Sequence, residues 1–248
     1  MPHVGNDVVD LADPGKKGKS RDVRFISRVF TAGERERIFG SARPEETLWT
    51  LWAGKEAAYK VAVKTDPGVC SIPRAYPVEW NRQGEGFLRA GTVQTPAGPV
   101  FLRVFREGDA LHVIATDSFR ENLEEIVAGI ASAEQMGAGP VPSDEQASFL
   151  VRELLLRRLS ECLGRSTSEM DIRRIKGPRG LGPPRVWLQG KPSALDVSLS
   201  HDGRFVACAF SRLSSEEIHQ LRPINGKPPG GEVDCFLKGM KGMNFCPG

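Results

Sequence analysis

The chain has 248 residues, a formal net charge of +3, 40% hydrophobic and 26% charged residues. That composition can bury one large core or two small ones and excludes a wholly disordered protein. A net charge this small gives no argument for nucleic acid, no apolar run reaches the roughly 20 residues of a membrane span, and the start MPHVGNDVVDL lacks the basic and apolar regions of a signal peptide. We expect a cytoplasmic protein with no nucleic-acid or membrane partner.

Val4 to Leu11 reads as a strand with Asp7 in the middle of an apolar stretch, followed by the basic turn ADPGKKGKS. From Arg21, RDVRFISRVFTAGERERIF has helical spacing. Val23, Ile26, Val29 and Phe30 share one side, Arg21, Arg24 and Arg28 surround it, and Thr31 is suited to cap a second short helix. Pro44 to Lys64 is the principal helix, with Pro44 in its first turn and Glu45 and Glu46 at its positive end. Candidate strands follow between Pro77 and Ala115 (GFLRAGTV, VFLRVF and LHVIAT), alternating as in an antiparallel sheet; Asn122 to Ile130 reads as a short surface helix.

A stretch rich in Gly, Pro and Ser marks a composition break, read as a linker over 133–147. Beyond it, Ser148 to Leu163 is a periodic amphipathic helix. Leu150, Leu154, Leu155, Leu159 and Cys162 face inward, while Arg152, Arg157 and Arg158 are left for solvent or phosphate. Gly164 stops it. IRRIKGPRGLGPPRVWLQGKP reads as a basic loop ending in a strand, and DVSLSHDGRFVACAF as a strand pair turned at HDGR. The fold class expected is α+β, a long helix on a small mostly antiparallel sheet on each side of the break; that these are two pseudo-symmetric halves with the active site between them is what the family resemblance of the motifs that follow implies. The first half spans 1–132, the second 148–212, and 213–248 is a loosely ordered tail. The five cysteines, Cys70, Cys162, Cys208, Cys235 and Cys246, are scattered without ligand spacing and read as free thiols.

The chemistry concentrates in Leu51–Lys60, LWAGKEAAYK, where Glu56 and Lys60 are four apart and share a helix face. Alone they read as a solvent-exposed ion pair. Asp7, flanked by Val4, Val8 and Val9, changes the weighing, because a carboxylate placed there needs a cation. Asp7 and Glu56 can hold a hard divalent ion that keeps waters and takes substrate phosphate oxygens, the arrangement usual for Mg²⁺.

Gly5-Asn6-Asp7 followed by Trp52, Lys55, Glu56, Ala57 and Lys60 resembles the G-x-D and W-x-x-K-E-A-x-x-K motifs of the 4'-phosphopantetheinyl transferase superfamily, and Ser200-His201 resembles its S-H motif. The resemblance implies an enzyme that moves 4'-phosphopantetheine from coenzyme A to a serine of an acyl or peptidyl carrier protein, releasing 3',5'-ADP. The fatty-acid, polyketide or peptide pathway is left open. It implies Asp7 and Glu56 as Mg²⁺ ligands, Glu56 as acceptor of the serine proton and Lys60 as the counter-charge of the leaving phosphate. Lys55 is either a further phosphate contact or a solvated lysine. Ser200 and His201 would bind the 3'-phosphate of coenzyme A. Arg21, Arg24 and Arg28 either meet an acidic carrier helix or form a solvated face. His3, His112 and His219 are assigned no role.

Two departures stand out. Val9 occupies the place of a second acid found in larger members, and Asp10 should point with Val8, away from Asp7; two protein carboxylates plus water are therefore expected at the metal. Pro183 stands where a phosphate-binding lysine is usual, with Lys176 or Arg179 as substitutes. The halves also appear in the order opposite to that of enzymes of the surfactin-synthetase-activating type. This suggests circular permutation, which requires Val4 and Phe210 on neighbouring strands; fusion of two single-half holo-acyl-carrier-protein synthases is the alternative. Two halves in one chain make a monomer sufficient. A non-catalytic coenzyme A or carrier-protein binding module is the rival reading, and a nuclease or other metal-dependent phosphotransferase is more distant.

Overall fold

The computed structural model describes residues 2–80, 89–118, 123, 125–177 and 180–211. They build the same unit twice. In the first, strand β1 (Val4–Asp10) is followed by helices α1 (Val23–Val29), α2 (Ala32–Phe39) and α3 (Pro44–Thr65). A meander follows: β2 (Val78–Trp80), β3 (Arg89–Thr95), β4 (Gly98–Glu107) and β5 (Ala110–Thr116). The second unit has β6 (Ile126–Ser132), helix α4 (Asp144–Leu163) and a second meander: β7 (Met170–Gly177), β8 (Gly180–Leu188), β9 (Lys191–Asp202) and β10 (Phe205–Ser211). In both units the first strand returns beside the last. The antiparallel sheet orders are β1-β5-β4-β3-β2 and β6-β10-β9-β8-β7. The fold is α+β with two pseudo-symmetric halves, as expected.

Each long helix buries one face on its own sheet. Leu48, Leu51, Ala57, Ala58 and Val61 of α3 meet Val93, Leu102, Val104 and Val113 of the first sheet. Leu150, Leu154, Leu155 and Leu159 of α4 meet Val186, Val197, Val206 and Phe210 of the second. Thr31 caps α2 through a reciprocal capping box with Glu34. Pro44 opens α3, whose first turn carries Glu45 and Glu46. A left-handed Gly164 ends α4. No helix among the described residues is long and apolar enough to cross a membrane.

Four features differ from the sequence expectation. β6 is a strand of the second sheet, paired with β10, where a surface helix over Asn122–Ile130 and a first half reaching residue 132 are expected. Its Ile-Val-Ala-Gly-Ile-Ala run has no period of its own, and pairing with β10 decides its conformation. The halves therefore divide between β5 and β6. The segment read as a linker lies inside the second half, with Ala133, Met136 and Ala138 packed on its core. α4 starts four residues earlier than Ser148, because Ser143 and Gln146 form a capping box. The basic loop is the hairpin β7–β8, with Pro183 and Pro184 near register shifts at Arg174/Lys176 and Arg185/Trp187, where prolines without an N–H are tolerated. The tail at 213–248, Cys235, Cys246 and His219 lie outside the described residues.

The halves meet along β1. Its outer N–H groups reach side chains of β9 instead of a backbone ladder. Val4 N donates to Asp196 Oδ2 (2.5 Å), Asn6 N to Ser198 Oγ (2.9 Å) and Asp10 N to Asp202 Oδ2 (2.7 Å). Lys64 Nζ closes one end on Asp196 (2.8 Å) and Arg204 grips Asp10 at the other. Between the sheets, Val4, Ile114, Leu123 and Ala209 form a small apolar cluster. β1 thus packs on both β9 and β10, although β1 and β10 belong to different sheets and share no ladder.

Candidate functional site

Gly5 lets α3 lie directly on β1: a Cβ there would stand 2.0 Å from the Ala57 carbonyl oxygen and 2.9 Å from Val61 Cγ2. This close approach delivers Lys60 to the strand, where its Nζ donates to Asn6 O (2.7 Å) and Asp7 Oδ1 (3.0 Å). Burial pushes the Asp7 carboxyl above the ordinary range, and the Lys60 charge opposes the shift. Glu56 is raised as well, first by burial and then by the Asp7 charge, with Lys60 opposing. Two carboxylates near enough for the charge of one to raise the other, both disfavoured as anions and served by one ammonium, suit a hard cation with oxygen ligands. Among the described residues no cluster of three or more His, Cys, Asp or Glu side chains forms a metal site. Asp10 turns to Arg204 (2.8 and 2.7 Å), whose hydrogen bonds outweigh burial and hold its carboxyl below the usual range.

Lys55 does not join this group. One residue along the helix, it points into the first core, 1% exposed, with Nζ on Glu34 (2.7 Å) and on the Tyr76 carbonyl (2.8 Å). Glu34 also accepts from Val78 N (2.8 Å). Lys55 therefore ties α3 to α2 and the start of β2, and neither phosphate contact nor solvation describes it.

Opposite β1, β9 presents Ser200 and His201. Asp7 and Lys60 from the first half line one groove of about 200 Å³ with Ser148, Val151, Arg152, Arg174, Leu199, Ser200 and His201 from the second. Ser200 is buried and accepts from Asn6 Nδ2 (2.9 Å), while His201 is exposed. Arg152 is steadied by Ser148, whose carbonyl (2.6 Å) and hydroxyl (2.7 Å) accept from Nη1. Desolvation and the Arg152 charge lower the Arg174 pKa. Among the described residues neither arginine has a carboxylate partner, so two guanidiniums side by side leave a place for an anion.

The expected substitutes for the missing lysine fare differently. Lys176 is exposed on β7 and does not line the groove, and Arg179 lies outside the described residues. Of the basic residues in this segment, Arg174 is the one that lines the groove among the described residues. Its signal was strand alternation in IRRIK, hidden once the segment read as a loop. Arg152 was visible as a basic position on α4, whereas Arg157 and Arg158 pair with Glu153 and Glu161 on the outer face.

Among curated proteins none matches the chain. Residues 3–116 match the family model described as the 4'-phosphopantetheinyl transferase superfamily, a span that runs from the start of β1 to the end of β5 and includes Asp7, Glu56 and Lys60. The first half of this protein is thus similar to the domains that this superfamily model describes.

Proposed function

We propose that the protein transfers 4'-phosphopantetheine from coenzyme A to a serine hydroxyl of an acyl or peptidyl carrier protein, with Mg²⁺ and release of 3',5'-ADP. The observation that carries this reading is the groove shared by the halves, where Asp7 and Lys60 face Ser200, His201, Arg152 and Arg174. Phosphoryl transfer depends chiefly on positioning and on charge complementary to the phosphates. On this reading Asp7 and Glu56 would hold Mg²⁺, which when bound would supply positive charge against the pyrophosphate. Lys60, paired with Asp7 and lining the groove beside it, meets the charge that develops on the leaving phosphate. Glu56, raised by burial and by Asp7, is suited to accept the serine proton. Arg152, Arg174, Ser200 and His201 bind the 3'-phosphate. Arg21, Arg24 and Arg28, exposed on and before α1, are available to an acidic carrier helix. Because both walls of the groove come from one chain, a monomer suffices, acting in the cytoplasm.

Titration calorimetry with coenzyme A tests this reading. Binding should strengthen when Mg²⁺ is added, and Asp7→Ala should remove that increment. Binding indifferent to Mg²⁺ and to Asp7→Ala would overturn the assignment of the metal ligands and favour a binding module without turnover.

A further inference from the structure

Asn6 is the middle residue of Gly5-Asn6-Asp7, and its side chain is wholly buried where the halves meet. Nδ2 donates to Ser200 Oγ at 2.9 Å and lies 3.1 Å from His112 Nε2 on β5. The same residue donates its backbone N–H to Ser198 Oγ and accepts Lys60 Nζ on its carbonyl. One residue therefore connects the helix that carries the ammonium to the strand that carries Ser200.

We infer that Asn6, held by His112, is a positioning residue that fixes Ser200 as a hydrogen-bond donor into the groove and so sets its preference for an anionic oxygen. An amide NH₂ has two hydrogens. Given one to His112 and one to Ser200, it occupies an acceptor site of the serine and leaves the serine proton to point elsewhere. Among the described residues nothing accepts that proton, and Ser200 lines the groove beside Arg152 and Arg174. With the amide reversed, its oxygen would take the serine proton and the groove would see lone pairs, which repel phosphate. The orientation therefore depends on His112 presenting a bare Nε2. A protonated ring could not accept, and burial pushes the His112 pKa down to about 3, helped by Lys60, so the ring is neutral at physiological pH. Neutrality leaves two tautomers, and the inference requires the one protonated at Nδ1.

This inference rests on Ser200 facing the 3'-phosphate in the transferase reading, and its test separates the two. The imidazole nitrogen shifts of the full-length wild-type protein, read by NMR, should report His112 protonated at Nδ1 with a bare Nε2; Nε2–H overturns the inference whatever the function. Calorimetry with 3',5'-ADP and 5'-AMP then reads the anion preference. Wild type should favour 3',5'-ADP, and Ser200→Ala, Asn6→Val and His112→Leu should each reduce the preference about tenfold, the scale of a hydrogen bond to a charged group. Asn6→Val combined with Ser200→Ala should lose no more than either alone. His112→Gln, whose amide oxygen can replace Nε2 as acceptor, should retain the preference. A purely structural role would lower both affinities together and leave their ratio unchanged, which overturns the inference and leaves the transferase reading intact. Failure of wild type to discriminate the two nucleotides overturns both.

Discussion

Replacing Gly5 by alanine tests how the site is assembled. The new Cβ would meet the Ala57 carbonyl oxygen at 2.0 Å, against the 3.4 Å at which ordinary contact begins, with Val61 Cγ2 at 2.9 Å. The obstructing atom is backbone in the middle of a helix and cannot rotate away, so β1 and α3 must separate by about 1 Å or more. Overpacking of this kind costs about 3 kcal/mol, which for a chain of this length lowers Tm by about 6–12 °C. The same separation carries Lys60 off Asn6 O and Asp7 Oδ1, and a displacement of about 1 Å in a catalytic group costs about 100-fold in rate. Thermal unfolding followed by circular dichroism, with transfer assays at a temperature where the variant is folded, measures both. Gly33→Ala is the control: on α2, with no heavy atom within 4 Å of an added Cβ, it should stabilise by about 0.4–1 kcal/mol. A Gly5→Ala variant with wild-type Tm and activity would refute the close approach of α3 as the reason for glycine.

Further outcomes follow from the same geometry. Because the Asp7 and Glu56 carboxyls are raised, the folded protein holds their protons more tightly than the unfolded chain. Their contribution to stability is full below the ordinary values of 3.8 and 4.5 and is lost as pH rises through the raised native ones. Mg²⁺ should therefore raise Tm at pH 8 and not at pH 4. Asp7→Asn should match or exceed wild type in Tm without metal and lose the Mg²⁺ increment; scanning calorimetry at both pH values checks this. Arg152→Ala and Arg174→Ala should each weaken 3',5'-ADP about tenfold, while Lys176→Ala leaves it unchanged, as read by calorimetry. Lys55→Met strands the buried Glu34 carboxylate and should cost about 3–5 kcal/mol with coenzyme A affinity intact. A loss of affinity at unchanged Tm would restore Lys55 to the site.

What the sequence made legible was local. α3 declares itself by its period, its proline start and its acidic first turn, and Asp7 by the oddity of an acid among valines. Gly5, Glu56, Lys60, Ser200 and His201 sit in motifs whose spacing survives without knowledge of the fold. Illegible parts depend on which strand lies beside which. β6 has no period and becomes a strand only because β10 offers an edge. Pro183 and Pro184 disguise β8, and with it the placement of Arg174. Lys55 and Glu56 are adjacent and both charged, with opposite signs, yet one helical step sends the first into the core and leaves the second near Asp7. His112 carried no local signal because its partner, Asn6, is 106 residues away. Asp10 was correctly set apart from Asp7 by alternation, but its partner Arg204 lies in a turn 194 residues on.

The most direct test of the central claim is the mass of an apo carrier protein incubated with this protein, coenzyme A and Mg²⁺, beside a Glu56→Gln control. Gain of one phosphopantetheine group with wild type, and none or far slower gain with the control, is the result that the transferase reading predicts. No mass gain across fatty-acid, polyketide and peptide carriers, with coenzyme A binding intact, would contradict the transferase reading and leave a protein that binds coenzyme A without turnover.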